Sequence, residues 1–99
     1  MRNILIIDDD EELFSLLADY LNDEGFACLP APDAATGLAR AGQSGVDAVV
    51  LDVMLPGMNG FEVLRRLRAD EITRDLPVLM LTASGEEIDR VVGLEMGAD

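Results

Sequence analysis

The residues able to do chemistry in this 99-residue chain are carboxylates. "ILIIDDDEE", residues 4–12, runs four apolar residues straight into five consecutive acids, Asp8 through Glu12. A further acid, Asp52, closes the segment "VDAVVLD", and a hydroxyl, Thr82, comes directly after "LPVLML". Histidine and lysine are absent and all seven basic residues are arginines. An imidazole base or a Schiff-base amine is therefore excluded within these residues. Chemistry must come from carboxylates, hydroxyls, backbone amides and a recruited cation.

Part of the acidic run has a structural explanation. Asp10 suits a helix N-cap, and Glu11 and Glu12 suit the first turn, where the helix dipole favours negative charge. Asp8 and Asp9 belong instead to the end of a strand. If Asp8, Asp9 and Asp52 meet, they raise one another's pKa values unless a cation relieves them. Magnesium fits such a pocket, because it prefers hard oxygen ligands, keeps several waters and takes one or two carboxylates. Pro56, Gly57 and Gly60 build a tight loop after Asp52 that can hold the backbone near an ion. The residues alone leave plainer readings open: Asp52 as a polar strand end, Thr82 as a β-branched strand residue. Cys28, Met54, Met58, Met80 and Met96 read as packing or loop residues.

The elements that must position these groups alternate. Ile4–Ile7 is a short continuous apolar run, as in a strand buried on both faces. Leu13, Leu16, Leu17, Tyr20 and Leu21 then recur at helical spacing, and Gly25 offers a left-handed cap. A weaker strand is expected around 26–29. Asp33 is the expected N-cap of a poor helix, in which Gly37 costs about 1 kcal/mol relative to alanine. Residues 46–52 form the second strong strand. A helix comes next, with Phe61, Leu64 and Leu67 facing inward and Arg65, Arg66 and Arg68 toward its C-terminus, matching the dipole. Residues 76–81 give another strand, and a last helix is expected from Glu86 to about Met96. Alternating strands and helices predict an α/β fold, an open parallel sheet covered on both faces. In such sheets, function gathers at the carboxyl ends of strands where the winding reverses.

Length and charge narrow the rest. Residues 1–99 make one domain. The net charge of −13 repels phosphate backbones, so direct nucleic-acid binding by this segment is not expected. The apolar stretches are too short to span a bilayer and no secretory leader opens the chain. With one cysteine, no internal disulfide can form, which suits a reducing cytoplasm.

"ILIIDDD", "VVLDVMLPGMNG", "PVLMLTA" and "GLEMGAD", in this order and spacing, resemble the receiver domain of bacterial two-component response regulators. The resemblance covers the whole chain and is closest to the winged-helix, OmpR-type branch, near CpxR-like envelope-stress regulators. It implies a doubly wound, CheY-like (flavodoxin-like) sheet with strand order 2-1-3-4. It also implies that Asp52 accepts a phosphoryl group from a sensor histidine kinase. Asp9 and Asp52 would bind Mg²⁺ directly, Asp8 through water, and the Met54 carbonyl would complete the protein's share. Thr82 would hydrogen-bond one phosphoryl oxygen and the Ala83 backbone amide another. The longer protein would bind DNA and regulate transcription.

The chain departs from the family in one respect. The family carries a lysine and a switch aromatic on a fifth strand, just beyond where this chain stops at Asp99. The expectation is therefore a receiver domain incomplete at its C-terminus, lacking the fifth strand and fifth helix. Such a fragment should self-associate through uncovered apolar surface or an unpaired strand edge, and should be phosphorylated slowly or not at all. It could then act only as a cation-binding interaction domain. A third reading is an aspartyl-phosphate phosphatase of haloacid-dehalogenase type, since Asp8-Asp9-Asp10 contains a D-x-D after a strand. That class needs a later lysine and a longer, capped chain.

Overall fold

The computed structural model describes residues 2–43 and 45–81. The helix expected over 86–96, Thr82 and Ala83 lie outside the described residues. Seven elements alternate: β1 (Arg2–Ile7), α1 (Glu11–Asp23), β2 (Phe26–Ala31), α2 (Ala34–Ala41), β3 (Ala48–Asp52), α3 (Gly60–Ala69) and β4 (Val78–Leu81). The four strands are parallel, in the order β2-β1-β3-β4. The winding reverses between β1 and β3, so a crevice opens at their carboxyl ends.

Side-chain alternation along the central strands makes two apolar layers. From β1, Leu5 and Ile7 enter the larger one with Val49, Leu51, Val63, Leu64, Leu67, Val78 and Met80. Ile4 and Ile6 point to the other side, where Val50 meets Phe14, Leu17 and Leu21 of α1. A continuous apolar run in the sequence is what a strand covered on both faces requires. Among the described residues the α1 side is the thinner, and an apolar recess of about 350 Å³ lies there between Leu17, Tyr20, Leu21, Val50, Leu79 and Leu81.

Several details differ from the periodicity reading, among them the strands expected over 46–52 and 76–81, which begin at Ala48 and Val78. Leu16 and Tyr20 are 67% and 64% exposed, because α1 turns Phe14, Leu17 and Leu21 to the sheet and leaves its flanks in solvent. Phe61 is also exposed, and α3 buries Gly60, Val63, Leu64 and Leu67 instead. The second strand reaches Ala31, two residues further than expected, since β1 pairs with it along its whole length.

Candidate functional site

The caps that end each loop fix where the acids stand. Asp10 is the N-cap of α1, its Oδ1 accepting from the Leu13 N–H at 3.1 Å. The Asp10 N–H in turn donates to Asp8 Oδ1 at 2.8 Å. Asp8 still belongs to the ladder, donating its N–H to the Ala31 carbonyl at 3.0 Å. On the neighbouring strand, Ile7 pairs with Leu51, so the next residue on each strand, Asp8 and Asp52, leaves the sheet beside the other. Asp52 pairs on its other side with Leu81, and the Val53 N–H extends that ladder to the Leu81 carbonyl at 3.0 Å.

One carboxylate oxygen each from Asp8, Asp9 and Asp52 fall within 4.8 Å of one another. Asp52 is buried, Asp8 half-buried and Asp9 exposed, so the cluster grades from core to solvent. Burial pushes the Asp8 carboxyl above the usual range. The Asp10 N–H pulls it back, and the charges of Asp52, Asp9 and Asp10 push it up further. Desolvation therefore adds to the like-charge effect expected from clustering alone.

The loop after Asp52 folds back on itself. Asp52 Oδ1 accepts from the Met54 N–H at 3.1 Å, which aims the carboxylate along the loop. Met54 forms an antiparallel bridge with Asn59, and the Gly60 N–H donates to the Val53 carbonyl at 2.8 Å. Gly57 turns the loop with φ of +80°, a conformation that favours glycine. Asn59 caps α3, accepting from the Phe61 N–H at 2.7 Å. An open recess of about 490 Å³ lies beside the acids, lined by Asp9 and residues 53–59. Met54, at its mouth, is 64% exposed.

The structure thus brings Asp8, Asp9 and Asp52 together and sets Met54 at the same strand end. Two contributors escape a reading of the residues alone. Asn59 carries a cap signal, an Asn directly before a helical pattern, but sits in a stretch that reads simply as loop. The bond from the Asp10 N–H to Asp8 is an Asx turn, a pattern that any Asp can form and that the acidic run does not single out.

The donor set suits a hard divalent cation. Octahedral magnesium, with ligands near 2.0–2.1 Å, places opposite oxygens about 4.2 Å apart. Three carboxylate oxygens within 4.8 Å bracket such a sphere with little adjustment, and more easily if one acts through water.

Comparison with known proteins agrees with this architecture. Residues 4–99 match the response regulator receiver domain family. The chain is 52% identical over 99 residues to the transcriptional regulatory protein CpxR of Klebsiella pneumoniae, covering all of this chain and 41% of that protein. It is 48% identical to the sensory transduction protein RegX3 of Mycolicibacterium smegmatis, covering all of this chain and 42% of that one. The chain thus spans about two fifths of the length of the curated relatives it matches. Among solved structures, the Thermotoga maritima response regulator TrrA, in complex with Mg²⁺ and BeF, superposes with a TM-score of 0.78. It shares 29% identity, with 90% of this chain and 76% of that one covered. These relatives are OmpR-type regulators and CheY-like domains, and the chain belongs to the response regulator receiver domain family.

Proposed function

We propose that this chain is a magnesium-dependent phosphoacceptor switched by a sensor histidine kinase. The observation that carries the reading is the convergence of Asp8, Asp9 and Asp52 at the carboxyl ends of β1 and β3. An Asp52 carboxylate oxygen attacks the phosphorus of the kinase's phosphohistidine. The P–O bond forms as the P–N bond breaks, and the leaving imidazole takes up a proton from solvent. A carboxylate is a weak nucleophile, so the transfer depends on in-line positioning and neutralised charge. A bound magnesium ion would supply that charge neutralisation. Asp9, Asp52 and the Met54 carbonyl would hold it directly in this reading, and Asp8 would hold it through water. The burial of Asp52 keeps bulk water from its carboxylate, while the exposed Asp9 leaves an approach for cation and donor.

Thr82 comes directly after Leu81, the partner of Asp52 in the sheet. Its hydroxyl and the Ala83 amide are the proposed hydrogen-bond donors to the phosphoryl group. The added charge at position 52 then biases the loops around it, which is how such a modification reaches an output. In the whole protein the proposed output is DNA binding and transcription regulation in the cytoplasm; a relative named as a transcriptional regulatory protein supports the regulatory part. Self-association of the 99-residue chain is part of the same proposal. A clean monomer by size exclusion with light scattering would count against it.

Asp52→Asn tests the reading. Phosphoryl transfer from a phosphorylated kinase and Mg²⁺-dependent beryllofluoride binding should both disappear. Retained labelling would mean a nucleophile elsewhere, as in a phosphatase using Asp8. The clustered carboxylates would equally serve a second reading, a cation-binding interaction domain that is never phosphorylated. That reading predicts Mg²⁺ binding with no beryllofluoride response.

A further inference from the structure

Gly60 sits closer to the acidic cluster than its place at the start of a helix requires. A β-carbon added there would collide with the Asp52 carbonyl oxygen, lie 2.8 Å from Val53 Cα and 3.1 Å from the Asp52 carbonyl carbon. All three are main-chain atoms of the strand end, which cannot rotate aside as a flexible side chain can. Gly60 is also tied to the same segment by its N–H bond to the Val53 carbonyl. The Met54–Asn59 bridge lies directly inside that bond, and Met54 holds Asp52 Oδ1 through its own N–H. The eight residues from Val53 to Gly60 thus form a closed clasp, and its lock is the contact of Gly60 with the main chain of Asp52 and Val53.

We infer that Gly60 is a positioning residue for the cation. Its lack of a side chain lets the start of α3 rest on the Asp52–Val53 backbone and fix the Asp52 carboxylate and Met54 main chain that face the ion. This inference rests on the functional reading above. Supporting groups of this kind typically change metal affinity by 10- to 100-fold when altered. Adding one methyl group at position 60 lifts the helix start, loosens the clasp and lets both ligating groups drift.

Magnesium titrations of the 99-residue chain monitored by amide NMR, under conditions where each variant is folded, test this. Gly60→Ala should bind Mg²⁺ about 10-fold more weakly or worse, with the Asp52 and Met54 amide signals already displaced before any cation is added. Val63→Ala is the matched control: it lies on the same helix, is fully buried and destabilises by leaving a cavity rather than by pushing on β3. It should keep the parental affinity. Equal weakening by Val63→Ala would reduce Gly60 to a stability role and overturn the inference, as would a folded Gly60→Ala with unchanged affinity. If Gly60→Ala does not fold, Asn59→Ala decides, since it frees the helix start without adding atoms. Weakened binding supports the clasp and unchanged binding refutes it. Failure of the parent chain itself to bind Mg²⁺ would bring down the functional reading and this inference with it. Binding by the parent that is lost in Asp8→Asn but kept in Gly60→Ala would overturn the inference alone.

Discussion

Neutralising Asp8 as Asp8→Asn should stabilise the cation-free protein and remove most of its stabilisation by magnesium. The geometry survives the change, because an amide oxygen can accept the Asp10 N–H as the carboxylate does at 2.8 Å. Only the charge goes. At the 4.8 Å limit of the cluster, two unit charges repel by roughly 0.9 kcal/mol in a water-like dielectric and about 3.5 kcal/mol at an effective dielectric near 20. Asp8 and Asp9 are chain neighbours and repel each other in the unfolded chain too. The repulsion created by folding is the encounter with Asp52, 44 positions away. With one partner buried and the other half-buried, the expected gain is about 1–2 kcal/mol.

The pH dependence has a definite sign. Burial and like charge raise the Asp8 carboxyl in the folded state. A carboxyl so raised contributes stability that is fully present below its unfolded pKa and is lost as pH rises through the folded value. The variant and the parent therefore converge in acid, and the variant pulls ahead as pH passes the raised pKa toward neutrality. Magnesium reverses the order. At a hundredfold excess over its Kd it adds about 2.7 kcal/mol to the parent and little to the variant. Urea denaturation near neutral pH, with chelator and then with magnesium, reads both effects. A variant less stable than the parent in chelator, or one that gains as much from magnesium, would refute the reasoning.

Other consequences concern the frame around the site. Gly37→Ala should destabilise by about 1–2 kcal/mol although alanine favours helix, because the new β-carbon would lie 2.6–2.9 Å from three side-chain carbons of Ile7. Gly42→Ala, at φ −78° with only 3.7 Å contacts, should gain up to about 1 kcal/mol; urea midpoints of the same sign for both would contradict the packing. Thr73→Val strips a buried hydroxyl from the Leu67 carbonyl it reaches at 2.7 Å, and should cost about 1–3 kcal/mol in denaturant melts. The Thr36 N–H holds the Asp33 carboxyl below its usual range, so that cap's contribution is present above the unfolded pKa and is lost as pH falls through the folded one. Asp33→Ala should accordingly lower the melting temperature near neutral pH, with the difference fading in strong acid.

The strands and the acidic convergence are legible in the sequence because they rest on short-range patterns. Four apolar residues ending in acids can hardly be anything but a buried strand with a polar exit, and a parallel sheet places such exits at one edge. The helices are less legible. Spacing puts Leu16 and Tyr20 near the apolar stripe of α1, but only the position of the sheet decides that Phe14, Leu17 and Leu21 take the buried face. Phe61 departs from expectation for a similar reason: its neighbour Gly60 takes the contact with β3 and turns the ring outward. Gly37 illustrates the limit of propensity. Judged by helix preference it is a defect, yet its missing side chain is the space that Ile7 fills. Contacts between residues thirty positions apart leave no trace in local composition.

The cluster's cost and its rigidity have the same origin. Leu5, Ile6, Ile7, Val49 and Leu51, on the two strands that carry the acids, are each at most 1% exposed. Burying side chains of this size stabilises by about 1.5–3 kcal/mol apiece, and the five together outweigh the repulsion of any single acid pair in the cluster. The same burial prevents the acids from moving apart. β1 is paired on both sides up to Ile7, and β3 up to Leu51, so neither strand end can yield without breaking ladder bonds. Repulsion that the strands cannot relieve by moving apart falls on the adjoining loop from Val53 to Gly60, which Met54 ties to the Asp52 carboxylate. On the proposed reading, a cation that lowers the charge there, or a phosphoryl group that raises it, would act first on that loop, with the sheet as the fixed frame.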